Sequence, residues 1–242
     1  MIVRIKNKKK LNSFAKQAHS YKQSSLIQSQ IVQMLLASCD FTSIHRVMDI
    51  GCGCGAVALE IDKLGIKVDK FYALDIAHEM ISQHPKKTKY IPHIELICED
   101  FEEFVFDKYD VVFAASSLQW AQDLDSVMYK IAKSSHMVRF AIHTNKSLDS
   151  VHRFLGTSSP LRDKKCLESI LQKYFNGKIW IEKLERNFTN RQDFLGHLKE
   201  SGLLGGGVLN FSQARYFRNN IPFAKIEYEV LMFAGVSKFS FR

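Results

Sequence analysis

The feature that most constrains this chain is a glycine-rich segment, Asp49-Ile-Gly-Cys-Gly-Cys-Gly55, between a predicted strand and a predicted helix. The pattern predicts the strand over residues 45–50 and the helix over residues 56–64. Glycines at alternate positions let the backbone turn sharply and approach a ligand closely. The N-terminus of the following helix presents free N–H groups. The segment therefore predicts a ligand site rather than a plain turn.

Strands and helices alternate from residue 45 to residue 142. The predicted strands are continuous apolar runs, which suit parallel strands that are covered on both faces. Alternation of this kind is typical of a doubly wound parallel sheet. Further strands are predicted at 70–75, 94–98, 109–114 and 137–142, and further helices at 77–84 and 124–133.

The flanking regions add helices and complete the sheet. Apolar residues recur at helical spacing over residues 11–39, which predicts two helices or one helix broken near Ser24 and Ser25. Apolar residues alternate in the last predicted strand, which favours an antiparallel pair at the sheet edge. Beyond residue 142, helices are predicted at 149–155, 164–175 and 192–201, strands at 178–184 and 224–233, and a turn at 205–207.

Composition limits the partners and the compartment. The formal net charge of +9 favours an acidic partner, such as nucleic acid, an anionic membrane or an acidic protein. Five cysteines without a C-x-x-C pair predict reduced thiols in a cytoplasmic protein and no metal site. The basic first ten residues are not followed by the apolar stretch of a signal peptide, and no apolar run is long enough for a membrane span.

Two nucleotide ligands compete for the glycine segment. Gly51-x-Gly53-x-x-Ala56 satisfies a dinucleotide fingerprint, and Asp75 follows about 20 residues on, where an acid binds ribose. The segment is therefore compatible with a dinucleotide-binding module.

Three details favour S-adenosylmethionine instead. Asp49 opens the segment and can bind an amine, while Gly55 completes a pattern of three alternate glycines. Asp100 and Phe101 follow the third strand and supply a carboxylate and a ring where an adenine would lie. These residues come after successive strands, and together they predict an S-adenosylmethionine site.

Each predicted contact follows from a group of the ligand. Asp75 would accept hydrogen bonds from the ribose hydroxyls, and Asp100 from the adenine amino group. Apolar contacts to the adenine would come from Ile76, Met80 and Phe101. The predicted cofactor-binding residues are Asp49, Gly51, Cys52, Gly53, Asp75, Ile76, Met80, Asp100, Phe101 and Ser116.

Three motifs connect the sequence to a known family: D-I-G-C-G-C-G at 49–55, A-L-D-I-A at 73–77 and Y-D-V-V-F-A-A-S-S-L-Q-W at 109–120. With them the chain resembles the malonyl-acyl carrier protein O-methyltransferases of biotin synthesis, which are class I methyltransferases. The resemblance is close up to residue 142 and loose beyond it. Cys54 replaces a usual threonine, and Ser116-Ser117 replaces a stretch that usually contains asparagine. The N-terminal pattern of the family is matched by Phe14, Ala15, Ala18, Tyr21 and Gln28.

This resemblance implies an α/β fold with a doubly wound, mostly parallel, seven-stranded Rossmann-like sheet. One methyltransferase domain would cover residues 1–242. Within it we expect a tail and helical lid at 1–40, a cofactor-binding core at 41–145, and acceptor-side helices inserted after the fifth strand, with the last strands, at 146–242.

The reaction implied by the resemblance is methyl transfer from S-adenosylmethionine to the free carboxylate of malonyl-acyl carrier protein. A carboxylate with a pKa near ~4 is already ionised at neutral pH, so no general base is required and no catalytic residue is nominated. Candidates for the acceptor pocket are Tyr21, Gln119 and Trp120, with Gln28 on the lid. Candidates for holding the malonyl carboxylate are His143, Arg153 and Arg162.

The basic excess would dock the acyl carrier protein, which is acidic in this family. Lys86, Lys87 and Lys89 form one candidate cluster, and Arg215 and Arg218 form another. A nucleic-acid methyltransferase is a rival function, although the loop after the fourth strand has no proline and the chain has no Pro-Cys nucleophile motif. Other rivals are a methyltransferase acting on another small acid and a non-catalytic binding module.

Overall fold

One seven-stranded sheet organises the chain in the computed structural model, which describes residues 21–37, 39–201, 211–222 and 224–239. All seven predicted strands are present, several of them longer than predicted. The strands are β1 Ser43–Ile50, β2 Lys67–Asp75, β3 Ile94–Cys98, β4 Tyr109–Ala115, β5 Ser135–His143, β6 Phe175–Asn187 and β7 Lys225–Ser237.

Helices connect these strands. Within the described ranges none combines the length and apolar character that a membrane span requires. A short 3-10 helix, Leu118–Trp120, follows β4. The α-helices are α1 Tyr21–Leu36, α2 Ala56–Lys63, α3 His78–Ile81, α4 Leu124–Ser134, α5 Asp149–Leu155, α6 Lys164–Tyr174, α7 Arg191–Ser201 and α8 Phe211–Asn220.

The strand order is β3-β2-β1-β4-β5-β7-β6. Strands β1 to β5 pair in parallel, whereas β7 pairs antiparallel with both β5 and β6. The order reverses between β1 and β4, and in open α/β sheets ligands bind beside the carboxyl ends of the strands at such a switch point. The predicted doubly wound, mostly parallel sheet and its antiparallel last pair are confirmed. We call the side of the sheet at which the carboxyl ends of β1 to β5 lie the carboxyl edge.

Helices cover both faces of the sheet. On one face α1, α2 and α7 bury Ile31, Val57 and Phe194 in one apolar cluster. On the other face α4 and α6 bury Met128 and Leu171 in a second cluster. Burial on both faces explains why the central strands are continuous apolar runs rather than alternating ones.

Two expectations about helices were wrong, and one helix was not predicted. Helix α1 runs through Ser24 and Ser25 without a break, because tertiary packing of its apolar side outweighs the weak helix propensity of serine. Helix α3 ends at Ile81, well before Pro85, which restricts the backbone of the preceding residue. Helix α8 was not predicted, since its sequence is mostly polar. The predicted turn at 205–207 and the tail lie outside the described residues.

Helix α1 packs as a core element. Ile27, Ile31 and Leu35 follow one another at helical spacing and are buried in the same cluster as the sheet residues. On the same helix, Leu26 is 64% exposed. The lid role expected for residues 1–40 stays a prediction, because residues 1–20 lie outside the described ranges.

Leu35→Ala is therefore expected to lower the free energy of unfolding by about 2–5 kcal/mol, through lost burial and the cavity left behind. Chemical denaturation followed by circular dichroism measures this change. The matched control is Leu26→Ala, which removes the same atoms from an exposed position of the same helix and should leave stability nearly unchanged. Equal destabilisation by both variants would contradict this packing.

Candidate functional site

The glycine segment joins β1 to α2 at the carboxyl edge. Gly51 has φ +70° and Gly55 has φ +92°, which are left-handed conformations that favour glycine. The N–H groups of Gly51 and Cys52 both donate to the carbonyl of Leu74, at 2.7 and 3.0 Å, and so tie the loop to β2. A Cβ on Gly51 would lie 2.2 Å from the Cβ of Ser117. The loop after β4 is therefore packed directly on this glycine.

Asp75, the predicted ribose ligand, also holds the glycine loop in place. Its Oδ2 accepts from the Gly53 N–H at 2.9 Å, and its Oδ1 accepts from the Ala77 N–H at 2.8 Å. A carboxylate has about four lone-pair sites, so Asp75 can still accept from ribose hydroxyls. Burial raises the pKa of Asp75, and its backbone hydrogen bonds oppose that rise.

Asp49 is a buried carboxylate whose hydrogen-bonding capacity is unused. It is 1% exposed, and neither carboxylate oxygen has a hydrogen-bond partner. Burial raises the pKa of Asp49 to about 8, and the charge of Asp75 adds to the rise. An unpaired buried carboxylate is costly unless a partner arrives to satisfy it. The ammonium group of S-adenosylmethionine has the charge and the donors that this position lacks.

The loop after β4 brings further unsatisfied polar atoms to the same edge. Ser117 donates from its Oγ to the carbonyl of Ile50 at 2.5 Å. Ser116 adopts φ +66°, which is strained for a serine, and its buried Oγ has no partner. Gln119 donates from its Nε2 to the Ser116 carbonyl at 2.7 Å, while its buried Oε1 has no partner. Orphaned atoms in this arrangement fit a polar ligand.

The residues expected around the adenine lie on the loop and short helix α3 that follow β2 and on the loop after β3. Asp100 accepts, at 2.9 Å, the backbone N–H two residues further on, so its own turn orients the carboxylate. Phe101 is half-buried against the apolar cluster under α4. Met80 is buried, and its Sδ lies 3.9 Å from the Sγ of Cys54, whereas Ile76 is half-buried. Their direct contact with a cofactor stays a prediction.

Among the acceptor-pocket candidates whose side chains the structure describes, Gln119 has an unpartnered atom, its Oε1, at this edge. Trp120 is half-buried and packs against the apolar cluster that contains α1. Gln28 on α1 is also half-buried. Tyr21 begins α1, but its side chain lies outside the described residues.

The candidates for holding a carboxylate have different surroundings. His143 is buried, its Nδ1 lies 3.1 Å from the Ser147 Oγ, and burial lowers its pKa to about 4. The imidazole is thus neutral at pH 7, which argues against His143 as the cation that holds a carboxylate. Arg153 is exposed and paired with Asp149 at 3.1 Å. Arg162 donates to two carbonyls directly after the 3-10 helix, at 2.8 and 2.9 Å, and is the cation tied to the β4 loop.

A polar network of Arg186, His197 and Tyr228 was not predicted from the sequence. Arg186 donates to the Nδ1 of His197 at 2.8 Å, and the Nε2 of His197 hydrogen-bonds with the Tyr228 hydroxyl. The ring of His143 lies edge-on to Tyr228, with the ring centroids 5.8 Å apart. Burial and Arg186 lower the pKa of His197 to about 4, and burial raises the pKa of Tyr228. Strands β6 and β7 and helix α7 supply this network, in which His197 and Tyr228 are 31 residues apart, so no local motif signals it.

Metal chemistry finds no support in this part of the molecule. Across the ranges the structure describes, no three His, Cys, Asp or Glu side chains are grouped to hold a metal ion. The polar groups at the carboxyl edge instead suit an organic ligand with a ribose and a charged amine.

Comparisons with known proteins agree with the geometry. Residues 47–136 match a family described as a methyltransferase domain. The chain is 25% identical to a malonyl-[acyl-carrier protein] O-methyltransferase of Bacillus cytotoxicus, over 83% of this chain and 78% of that protein. Its identity to the enzyme of that name from Xylella fastidiosa is 33%, over 48% of this chain and only 40% of that protein. The solved YcgJ protein from Bacillus subtilis superposes with a TM-score of 0.64 at 12% identity, over 87% of this chain and 99% of that one.

The strand order, the glycine loop and the acids on the neighbouring strand ends have the arrangement of the class I methyltransferase fold, and the match to a methyltransferase domain covers residues 47–136. The chain is an S-adenosylmethionine-dependent methyltransferase, similar over most of its length to the malonyl-acyl carrier protein O-methyltransferases.

Asp49→Asn is expected to weaken binding of S-adenosylhomocysteine about ten- to a hundredfold, because the negative charge that strengthens the hydrogen bond to the ammonium group is lost. Isothermal titration calorimetry at pH 7, where the ammonium group of the ligand is charged and favours the ionised form of Asp49, measures this change. Asp69→Asn is the control, since Asp69 is exposed and far along β2 from the loop. Unchanged affinity in Asp49→Asn would remove this residue from the site.

The same variant tests the raised pKa of Asp49 in the free protein. The folded chain holds this proton up to about pH 8, whereas the unfolded chain releases it near its ordinary value. The contribution of Asp49 to stability is therefore lost as pH rises through that range. The melting temperature of Asp49→Asn relative to that of the wild type should rise from pH 5 to about pH 8 and then level off. A margin independent of pH would contradict the burial of an unpaired carboxyl group.

Gly51→Ala is expected to abolish cofactor binding, since its Cβ would collide with Ser117 and push the two loops apart. Gly156→Ala is a matched control, because Gly156 also has a positive φ but no other atom lies within 4 Å of the place its Cβ would take. Both variants carry the strain of a left-handed alanine, and only the first carries the clash. Equal loss of binding in both variants, measured by calorimetry, would show that the contact with Ser117 is unimportant.

Proposed function

We propose that this chain transfers a methyl group from S-adenosylmethionine to the free carboxylate of a malonyl group on acyl carrier protein, a step in biotin precursor synthesis. The observation that carries the proposal is the alignment with the enzyme of that name from Bacillus cytotoxicus over 83% of the chain. That alignment extends beyond residues 47–136, so it includes part of the region that determines the acceptor.

In this proposal the cofactor lies across the carboxyl edge. Asp49 binds the ammonium group, and Asp75 binds the ribose while it holds the glycine loop. Asp100 accepts from the adenine amino group, with Ile76 and Met80 as apolar contacts. The remaining contacts come from Gly51, Cys52, Gly53, Phe101 and Ser116. The support for these roles is the set of unpartnered buried oxygens and the tight glycine turn.

The chemistry places few demands on the protein. The sulfonium of the bound cofactor supplies an activated methyl group and its own leaving group. The acceptor carboxylate is ionised at neutral pH, so no protein group has to remove a proton. The side chains have to orient the carboxylate, exclude water from it and hold it in line. This agrees with a site whose buried groups are ligands rather than an acid–base pair.

The acceptor lies, in this proposal, beside the loop after β4. Gln119 has an unpartnered Oε1, and Trp120 offers a half-buried ring. Arg162 is fixed to the same loop by its two hydrogen bonds to backbone carbonyls. A guanidinium has five N–H donors, so Arg162 retains donors for a carboxylate. We assign the malonyl carboxylate to Arg162 and leave Tyr21 as a predicted contact from α1.

The test is incubation of the purified chain with malonyl-acyl carrier protein and S-adenosylmethionine, followed by mass spectrometry of the carrier protein. The expected result is a mass gain of one methylene group that disappears on mild ester hydrolysis. Asp49→Asn and omission of the cofactor serve as controls.

Parallel reactions contain malonyl-coenzyme A, free malonate, and RNA. Methyl transfer to free malonate but not to the thioesters would favour a small-acid methyltransferase. Methyl transfer to RNA without ester formation on the carrier protein would overturn the proposed function.

A further inference from the structure

Helix α8 presents a basic surface that was not recognisable as a helix in the sequence. We define the α8 surface as Arg215, Tyr216 and Arg218, all of which are exposed. Tyr216 is 62% exposed, which is unusual for a large ring. The helix, FSQARYFRNN, contains no acidic residue. Tyrosine and arginine are residue types that are enriched at protein–protein interfaces, so an aromatic side chain between two arginines suits a protein-binding surface.

Packing holds this surface in one position. The Tyr216 ring stacks on Phe154 of α5, with ring centroids 5.9 Å apart and an interplanar angle of 11°. Phe217 is buried beneath the helix. Arg191 of α7 donates to the carbonyls of Arg218 and Ile221, at 3.1 and 2.7 Å, and so closes the C-terminal end of α8. A surface that is already ordered loses little conformational entropy on binding a partner.

The topology places the α8 surface at the carboxyl edge. Helix α8 is followed by β7, which runs antiparallel to β5, so that its first residues, 225–229, extend past the carboxyl end of β5. His143, the last residue of β5, pairs with Val230, and α5 begins shortly after it. The α8 surface thus borders the same edge as Asp49, on the acceptor side of the β1–β4 switch point.

The lysine cluster at 86–89 lies on the β2 side of the sheet. It starts after Pro85, whose Cδ would lie 2.6 Å from a Cβ on Gly55, and it runs from there towards the amino end of β2. Lys89 lies next to Tyr90, whose carbonyl accepts from the N–H of Val68 at 2.9 Å. Val68 is near the start of β2, at the amino end of the parallel strands. The lysine cluster thus lies on the β2 side of the switch point, whereas the α8 surface lies on the β5 and β7 side, where the proposed function puts the acceptor.

We propose that the α8 surface docks an acidic face of the protein that carries the substrate, with Tyr216 as the central contact and Arg215 and Arg218 as its charged flanks. The proposal rests on the proposed function, because that function makes the acceptor part of a protein. The partner is acidic because two unpaired positive side chains and no negative one flank the ring on α8, and complementary charge speeds and orients association. Among the described residues neither arginine has an ion-pair partner.

The test compares Arg215→Glu/Arg218→Glu with Lys87→Glu/Lys89→Glu, which changes net charge equally on the β2 side of the sheet. Binding of fluorescently labelled malonyl-acyl carrier protein is measured by anisotropy, without cofactor and at two salt concentrations. The α8 variant is expected to bind at least tenfold more weakly, and the lysine variant to bind as the wild type does. Binding of S-adenosylhomocysteine by both variants confirms that they are folded.

Binding and turnover are scored separately. Equal weakening by both variants, or no effect of the α8 variant, would overturn the docking proposal. If methyl ester forms normally in the α8 variant at limiting carrier protein, the proposed function stands and the docking proposal fails. If the wild type binds the carrier through α8 but forms no ester, the docking proposal stands and the proposed function fails. Absence of any carrier binding by the wild type would overturn the docking proposal.

Discussion

The contact between Gly51 and Ser117 is the constraint on which the rest of the site depends. With no Cβ at Gly51, the Ser117 side chain can lie against the loop and donate to the carbonyl of Ile50. This contact fixes the loop after β4 to the loop after β1. Ser116 takes its strained φ and Gln119 its hydrogen bond as part of the same loop. The loop after β1 and the loop after β4 are thus held together in the free protein.

The free site leaves several polar groups unsatisfied. Asp49, Ser116 and Gln119 all have buried oxygens without partners. Each such group costs stability, and natural proteins accept this cost where a ligand later satisfies the group. Apolar clusters on both faces of the sheet supply the compensating stability. These three unsatisfied groups lie together at the carboxyl edge.

The central strands and the cofactor loop could be predicted because their signals are local. An apolar run between turn residues predicts a buried strand, and alternate glycines before a helix predict a ligand-binding turn. Helix α8 gave no such signal, because its buried face consists of few apolar residues, among them Phe217. The Arg186–His197–Tyr228 network was also invisible, since strand pairing and helix packing alone bring those residues together. The break expected at Ser24 and Ser25 failed because propensity is weaker than tertiary packing.

The sequence by itself determined the fold class, the order of the strands along the chain and the acids that follow them, because these depend on spacing and on residue type. Tertiary structure alone decided which of these groups meet. Tertiary packing left Asp49 without a hydrogen-bond partner and joined Asp75 to the glycine loop by a hydrogen bond. Burial made His143 neutral, and the topology separated the two basic clusters to different regions of the surface. The physical reason is that burial and hydrogen-bond partners are properties of neighbours in space, and local sequence does not specify those neighbours.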